Sequence, residues 1–524
     1  MNNGDVDKRY SAQFKTLRNK FRRYDTIALI RSVLSYLGHP LASHQQEAER
    51  LPWVALLAIK WVLADDQAFS RGRQHPDSKQ TLAFLSDVYA MNEVTYMPDA
   101  YATLHLFMKA MAFQQFPMQE GPRPNRVARQ FSLFDSLEDT HYLKQRFNSV
   151  CGIPSTDFIL MSSLLMAMYA NHSPAISHIQ HVMGGIKRVF PDQYETFFQF
   201  LSTTPLVARS EILLRDEVTK SQGRLPRNPN EFYEQSFFNR RPLLFIDPQL
   251  FVVERHSLYR AVEYAIFDAL RADNASVFMS SFGPVFERHV DSFIKKSGLT
   301  YVTESEVKKQ LRLPATSLLI DFVVSEGSSN IFIDAKAAEL HYEGKTALSF
   351  NEMNRWVNDS LGKAIKQAHQ VLGAICRSTP TESLRARPNN YLIVVTYKDL
   401  FISNGQRLIE CIGKENFDVL LAGVSDTNVI PSSHMYFMTI DDFEALMTSV
   451  RDGKITLTAA LNQAIEKDSN PSTSCHSVAQ HIEQLGLSHC MNDFYFDLTS
   501  KKTEERVRRL FPEEEWQSRS DKTT

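Results

Sequence analysis

Apolar residues recur at helical spacing through the first 220 residues, where alternating stretches are few. Apolar residues three and four positions apart share one face of a helix, so this pattern predicts a mainly α-helical region over residues 1–220. The segment 8–31 carries eight Lys and Arg against one Asp, with apolar residues at an approximate helical repeat. We expect an amphipathic basic helix there, whose polar face is either solvated or in contact with a nucleic acid or a protein.

The pattern changes at residues 221–230, which hold two prolines, one glycine and a single leucine. Such a stretch is typical of a boundary between folded regions. We therefore predict a connecting segment over residues 221–281, with two short strands around the turn Asp247-Pro248.

Strand-like and helix-like stretches alternate after that segment, which predicts an α/β domain over residues 282–447. Helical spacing returns over residues 448–524, and the chain ends in a charged tail, which predicts a helical C-terminal extension. The predicted fold class is thus multidomain α + α/β, with a large N-terminal helical region before an α/β domain and a short helical C-terminus. The candidate strands are Leu318–Val324, Ile331–Lys336, Tyr391–Thr396, Val419–Val424 and Met435–Ile440.

Composition limits the kinds of partner. Lys plus Arg number 58 and Asp plus Glu number 60, so the formal net charge is −2. A nucleic acid would therefore have to meet a local basic patch, because the overall charge offers no attraction. Five scattered cysteines, and a longest mostly apolar run that covers only residues 158–168, favour a cytoplasmic location and no association with a membrane.

Two apolar strands flank the dipeptide Gly327-Ser328, which suits a tight hairpin turn. Such a turn places position i opposite position 655 − i, and therefore Asp321 opposite Asp334. Directly opposed carboxylates repel each other, and an unpaired charge in an apolar strand is costly. A cation between the two carboxylates would remove both costs.

Lys336 follows Asp334 by two positions, so the two side chains project from the same face of the strand. Carboxylate oxygens suit a hard ion such as Mg²⁺, which keeps several waters and often binds substrate phosphates. A lysine beside them would orient an attacking water and offset charge on the phosphorus centre. The alternative is that both aspartates are surface residues at strand ends, with Lys336 as their ion-pair partner.

Two predicted helices frame this hairpin. The first, near residues 283–298, has Pro284 in its first turn and places Glu287 at the border of its buried stripe, with Asp291 one turn later as the alternative acidic ligand. The second follows residue 361 and carries Lys363 and Gln367 on one polar stripe, where they suit phosphate and sugar contacts or form a plain exposed face.

The ordered set of Glu287, Ile320-Asp321, 334–336 and the Gln367 helix resembles the PD-(D/E)XK nuclease superfamily over roughly residues 282–445. The sequence departs from the family pattern in having Ile320 for the usual proline, and Asp334 where glutamate is frequent. The resemblance implies a mixed central sheet flanked by helices. It further implies a Mg²⁺ or Mn²⁺ ion held by Glu287, Asp321, Asp334 and the Ala335 carbonyl, with Lys336 as the catalytic lysine and with Lys363 and Gln367 at the substrate.

These expectations predict a divalent-metal-dependent nuclease behind a helical regulatory region. The layout is similar to that of single-gene bacterial anti-phage defence proteins, which implies a phage protein as trigger and a homo-oligomer as the expected assembly. The basic segment 8–31, together with the absence of a recognisable motif for reading duplex DNA, slightly favours RNA, such as tRNA, over DNA. Two alternatives are a binding protein built on a degenerate nuclease fold and a restriction or repair DNA endonuclease.

Overall fold

The computed structural model divides the chain into two compact units. The helical unit comprises residues 1–100, 111–275 and 493–524, and the sheet unit comprises residues 101–110 and 276–492. The residues that the structure describes are 3–39, 50–70, 73–96, 102–170, 176–221, 223–378, 381, 383–425, 428–487, 501–502 and 504–505.

The helical unit confirms the prediction of a mainly α-helical N-terminal region. The predicted basic helix over residues 8–31 is wrong in one respect, because it is divided into two helices. Asp25 forms the break, since its carboxylate accepts a hydrogen bond from Ala28 N–H and caps the second helix. The helices of this unit are Asn3–Phe21, Thr26–Gly38, Pro52–Ala64, Ser78–Ala90, Pro124–Gln130, Tyr142–Cys151, Ser155–Ala170, Ile176–Val189, Tyr194–Leu201, Pro205–Ser221, Arg255–Glu263 and Ala265–Asp273.

The helical unit also contains a small mixed sheet of three strands. The predicted hairpin around Asp247-Pro248 is present, because β2 and β3 pair antiparallel on either side of this dipeptide. The short strand β1 pairs parallel with β2. The strands are β1 (Ser202–Thr203), β2 (Leu243–Ile246) and β3 (Gln249–Val252).

The sheet unit contains a five-stranded mixed sheet in the order β4-β5-β6-β7-β8. Strands β4, β5 and β6 pair antiparallel, whereas β6, β7 and β8 run parallel. The mixed sheet agrees with the sequence prediction, although β4 was not predicted. The strands are β4 (Thr300–Thr303), β5 (Phe322–Glu326), β6 (Ser329–Lys336), β7 (Asn389–Thr396) and β8 (Met435–Thr439).

Two helices matter for the site, the Glu287 helix, Ala275–Ser297, and the Gln367 helix, Lys363–Arg377. The Glu287 helix begins earlier than predicted, so Pro284 lies inside it and not in its first turn. The segment predicted as a strand over Val419–Val424 is instead the end of a helix followed by a turn. The other helices of the unit are Glu304–Gln310, Tyr342–Lys345, Phe350–Val357, Gly405–Ile412, Lys414–Leu420, Ile440–Arg451, Leu457–Asp468 and Val478–Gln484, and Leu104–Gln115 crosses the division between the units.

Hydrophobic burial explains the position of both site helices. Phe286, Val290 and Ile294 of the Glu287 helix are buried, as the predicted stripe required. The Gln367 helix likewise buries Ala364 and the other apolar residues of its stripe, and it packs on β7. Because these stripes are buried, the polar borders of both helices are directed to the edge of the apolar core.

No single helix in the described part of the chain is long and apolar enough to cross a membrane. The helix pair 142–151 and 155–169 reaches that length only when its two members are added across a bend of 62°.

Candidate functional site

The site lies at one end of the β5–β6 hairpin. The observed register pairs Phe322 with Ile333 and Glu326 with Ser329, so opposed positions sum to 655 as predicted. The backbone ladder ends at Phe322, and the carboxylate of Asp321 then takes the place of a backbone carbonyl. Asp321 Oδ2 accepts a hydrogen bond from Ala335 N–H at 2.7 Å. This bond holds the Asp321 carboxylate against β6, next to Asp334.

Asp334 lies near the end of β6, where both faces of the sheet are covered. Its side chain is 0% exposed, which excludes the alternative that it is a surface residue at a strand end. Lys336 Nζ lies 2.6 Å from Asp334 Oδ2, so the predicted placement of the two side chains on one face is observed. The side chain of Lys336 is itself 23% exposed, so the ion pair has one partner in contact with solvent and one that is buried.

The two aspartates perturb each other's ionisation. Burial raises the pKa of Asp321 to about 8, with a further contribution from the negative charge of Asp334, although the Ala335 N–H and Lys336 act in the opposite direction. Burial also raises the pKa of Asp334, against the attraction of Lys336. Because the pKa values of two neighbouring carboxyls are both raised, a cation bound between them would stabilise their charged forms.

Glu287 belongs to the same electrostatic environment. Its carboxyl is half-buried, and its pKa is raised by burial, by Glu304 and by Asp334. Asp291, the alternative ligand, accepts a hydrogen bond from Tyr301 Oη at 2.7 Å and is thereby attached to β4. Glu287 is thus within electrostatic range of Asp334, whereas the Asp291 carboxylate is bonded to Tyr301. The predicted ligand set of Glu287, Asp321 and Asp334 is not brought together into one group in the described part of the chain.

Gln367 is brought to the site, whereas Lys363 is not. Lys336 Nζ donates a hydrogen bond to Gln367 Oε1 at 3.3 Å, so the ammonium lies between this amide and Asp334. Lys363 is 59% exposed and forms an ion pair with Asp359 one turn earlier at 3.3 Å. The two residues of the predicted polar stripe thus differ, because only Gln367 contacts the catalytic candidates.

The carboxylates limit the kind of metal site that can form. Among the described residues, no three His, Cys, Asp or Glu side chains come close enough together to hold an ion by themselves. Asp321 and Asp334 together offer two carboxylates, and Mg²⁺ is commonly held by one or two carboxylates with waters and substrate phosphates. The donor set fits an ion completed by water and substrate, and it does not fit a closed cage of protein ligands.

Sequence reasoning missed several polar groups around this edge of the sheet. Glu304, which raises the pKa of Glu287, begins the helix after the unpredicted strand β4. Lys398 follows β7 and Asp442 follows β8. Burial, together with the negative charge of Asp399, raises the pKa of Asp442 to about 7. Strand topology could have indicated Lys398 and Asp442, because the carboxyl ends of the parallel strands β6, β7 and β8 lie at the same edge of the sheet.

No family model matches the sequence, and no curated protein and no solved structure shows significant similarity to it.

Proposed function

We propose that the chain is a divalent-metal-dependent nuclease of the PD-(D/E)XK type, with its active site at the end of the β5–β6 hairpin. The observation that carries the proposal is the pair of Asp321, which is half-buried, and Asp334, which is fully buried, with Lys336 held between Asp334 and Gln367. Carboxyls with raised pKa values destabilise the folded state when they ionise, and a bound cation would remove that cost. Their presence beside a lysine therefore favours a catalytic role.

Each residue has a distinct role in this proposal. Asp321 and Asp334 would hold Mg²⁺ or Mn²⁺, with the Ala335 carbonyl and Glu287 as the additional groups that the family pattern implies. The ion would supply Lewis-acid stabilisation of the phosphate and lower the pKa of a bound water. Lys336 would orient that water and offset negative charge on the phosphate, and Gln367 positions the Lys336 ammonium by accepting its hydrogen bond.

The proposed substrate is nucleic acid, with RNA such as tRNA favoured over DNA. A nucleic-acid substrate is supported by the basic surface of the N-terminal segment, where Lys8, Arg9 and Lys15 are exposed. RNA is preferred because the sequence contains no recognisable motif for reading duplex DNA. The proposed biological role is anti-phage defence triggered by a phage protein, which is supported only by the arrangement of a long helical region before the site.

A second candidate function is that of a binding protein on a degenerate nuclease fold. The specific observation in its favour is the 2.6 Å ion pair of Lys336 with Asp334, which neutralises the buried carboxylate without a metal ion. The two candidates differ in whether Asp334 exchanges its lysine partner for a divalent ion.

The test is cleavage of tRNA, single-stranded DNA and plasmid DNA by the purified full chain, with Mg²⁺ or Mn²⁺ and with EDTA. The variants are Asp334→Asn and Lys336→Met. Their matched controls are Asp418→Asn and Lys414→Met, which alter an exposed ion pair in the same unit. We expect metal-dependent cleavage that both site variants lose and both controls retain.

Direct titration of Mg²⁺ by calorimetry separates the remaining outcomes. Binding that Asp334→Asn abolishes, without cleavage, would support an enzyme that requires its trigger. Absence of both cleavage and Mg²⁺ binding in the wild-type chain would contradict the nuclease and support the binding protein.

A further inference from the structure

A second site candidate lies on the other polar face of the Gln367 helix. A cleft of about 500 Å³ is bordered on one side by Lys366, Gln370 and Arg377 of this helix, and on the other by residues 419–420 and 422–425. We call it the Lys366 cleft. Its volume falls in the range of cavities that bind small-molecule ligands. Asp321 and Asp334 do not line it, so the cleft is distinct from the proposed active site.

The described residues that line the Lys366 cleft carry positive charge. Lys366 and Arg377 line it, and no acidic residue is among the described residues that do. Neither cation has an ion-pair partner within the described part of the chain. This distinguishes them from Lys363 on the same helix, whose charge is already paired with Asp359. Two unpaired cations in one concave site favour an anionic ligand.

His369, which also lines the cleft, contributes no charge. Its Nδ1 lies 2.7 Å from the Ile365 carbonyl oxygen, and its Nε2 accepts a hydrogen bond from Ile430 N–H at 3.0 Å. The imidazole is therefore neutral with the proton on Nδ1, and burial lowers its pKa further. Because the ring joins the Gln367 helix to Ile430, it fixes one side of the cleft.

Gly373 brings the two cations closer together. A Cβ at this position would lie 3.2 Å from Arg377 Nη1, so the guanidinium folds back along the helix over Gly373. At a rise of 1.5 Å per residue, the levels of Lys366 and Gly373 are roughly 10 Å apart along the axis. A lysine side chain spans much of that distance, so both cations reach a chain of two or three phosphates.

The opposite side of the cleft is apolar in part. Val419 is 66% exposed and Leu420 is buried behind it. Gly423 turns the chain at φ +83°, a conformation that glycine adopts without strain, and leads to Val424. An anion that also carries a flat apolar group would bury Val419 while its phosphates contact the cations.

We propose that the Lys366 cleft binds a nucleoside diphosphate or triphosphate, with the phosphates at Lys366 and Arg377 and the base against Val419. This inference does not rest on the nuclease proposal, because the cleft residues differ from Asp321, Asp334 and Lys336. A bound nucleotide would lie against the helix that carries Gln367, the residue in contact with Lys336.

The test is fluorescence anisotropy of N-methylanthraniloyl-ATP with the full chain. EDTA is present, so that the proposed metal-dependent cleavage does not occur during the measurement. Unlabelled ATP, ADP, adenosine and a ten-nucleotide single-stranded RNA serve as competitors. We expect ATP and ADP to compete, and adenosine to compete at least about tenfold more weakly because it lacks the phosphates.

Lys366→Ala and Arg377→Ala are each expected to weaken binding at least about tenfold. Both side chains are exposed, so the variants should fold, which circular dichroism checks. Lys414→Ala, which removes a paired lysine from the neighbouring helix, should leave binding unchanged. Absence of binding at millimolar nucleotide, or binding indifferent to both cleft variants, would overturn the proposal. Competition by the RNA alone would assign the cleft to a nucleic-acid strand instead.

Discussion

At the scale of single residues, the site is defined by an electrostatic conflict. Asp321 and Asp334 occupy the end of an apolar hairpin, and burial raises the pKa of both. Lys336 relieves part of this conflict through its contact with Asp334. The cost of the arrangement can be measured, because it depends on pH.

The first prediction concerns Asp321→Asn. A carboxyl with a pKa of about 8 in the folded state and near 4 when unfolded retains its proton on folding, so the folded state binds more protons between these values. Stability is therefore lost as pH rises from about 4 to about 8, and the loss persists above that range. Asparagine can still accept the Ala335 N–H bond but carries no charge. We expect the variant to exceed the wild type in free energy of unfolding by a few kcal/mol at pH 9, and by much less at pH 5.

Urea denaturation in EDTA at pH 5, 7 and 9 measures this difference. The control is Asp418→Asn, whose carboxylate is exposed. Equal pH slopes for Asp321→Asn and the wild type would show that Asp321 is not the group whose ionisation destabilises the fold.

The second prediction separates the roles of Lys336 and Gln367 in the proposed reaction. Lys336→Met should lower cleavage by roughly 10² to 10⁴-fold, the range expected for a group that assists proton transfer. Gln367→Ala should lower it by only about tenfold, because the lysine remains and loses just its positioning partner. Single-turnover kinetics at saturating Mg²⁺ provides the comparison. A larger loss for Gln367→Ala than for Lys336→Met would contradict these roles.

At the scale of elements, local signals and packing decide different features. The hairpin register followed from the turn at Gly327-Ser328 and was predicted correctly. The start of the Glu287 helix was predicted incorrectly. Proline is favoured in the first turn of a helix, but here the helix extends further towards its N-terminus, where Phe278 and Phe282 are buried, and Pro284 lies inside it. Val419–Val424 has the composition of a strand, yet it ends a helix, which shows tertiary packing overriding local propensity.

The third prediction compares two glycines that lie in helices, Gly405 and Gly184. A Cβ on Gly405 would collide with the carbonyl oxygen of Ser432, so Gly405→Ala should destabilise by about 1 to 3 kcal/mol. A Cβ on Gly184, inside the helix Ile176–Val189, would meet nothing within 4 Å, so Gly184→Ala should stabilise by about 0.5 to 1 kcal/mol through helix propensity. Chemical denaturation of both variants should give opposite signs. The same sign for both would mean that space around the glycine does not control the effect.

At the scale of the whole molecule, the two units are stabilised differently. The site of the sheet unit concentrates like charges, whereas the helical unit contains a buried network of opposite charges. Lys60 Nζ lies 2.7 Å from Glu231 and 3.1 Å from Glu234, which are distant from it in sequence. Arg227 bonds to both Asp216 and Glu231. The network joins the helix Pro52–Ala64 to the segment after residue 228.

The fourth prediction is that Lys60→Met destabilises the protein by about 1.5 to 3 kcal/mol, because Glu231 and Glu234 lose a buried cationic partner but retain Arg227 and Arg215. Lys220→Met is the matched control. Lys220 forms an exposed ion pair with Glu217, so its loss should change stability by less than about 1 kcal/mol. Denaturation monitored by circular dichroism measures both. Equal effects would show that burial does not set the value of these ion pairs.

The sequence by itself determined the helical character of the N-terminal region, the hairpin, its register and the closeness of Asp321, Asp334 and Lys336. These features depend on short-range periodicity and turn geometry, which the order of residues encodes directly. Only the tertiary structure decided that Asp334 is fully buried, that Gln367 and not Lys363 contacts Lys336, and that Lys366 and Arg377 share a cleft. Those relations depend on how helices pack against a sheet, and residues far apart in the chain carry no local signal of that packing.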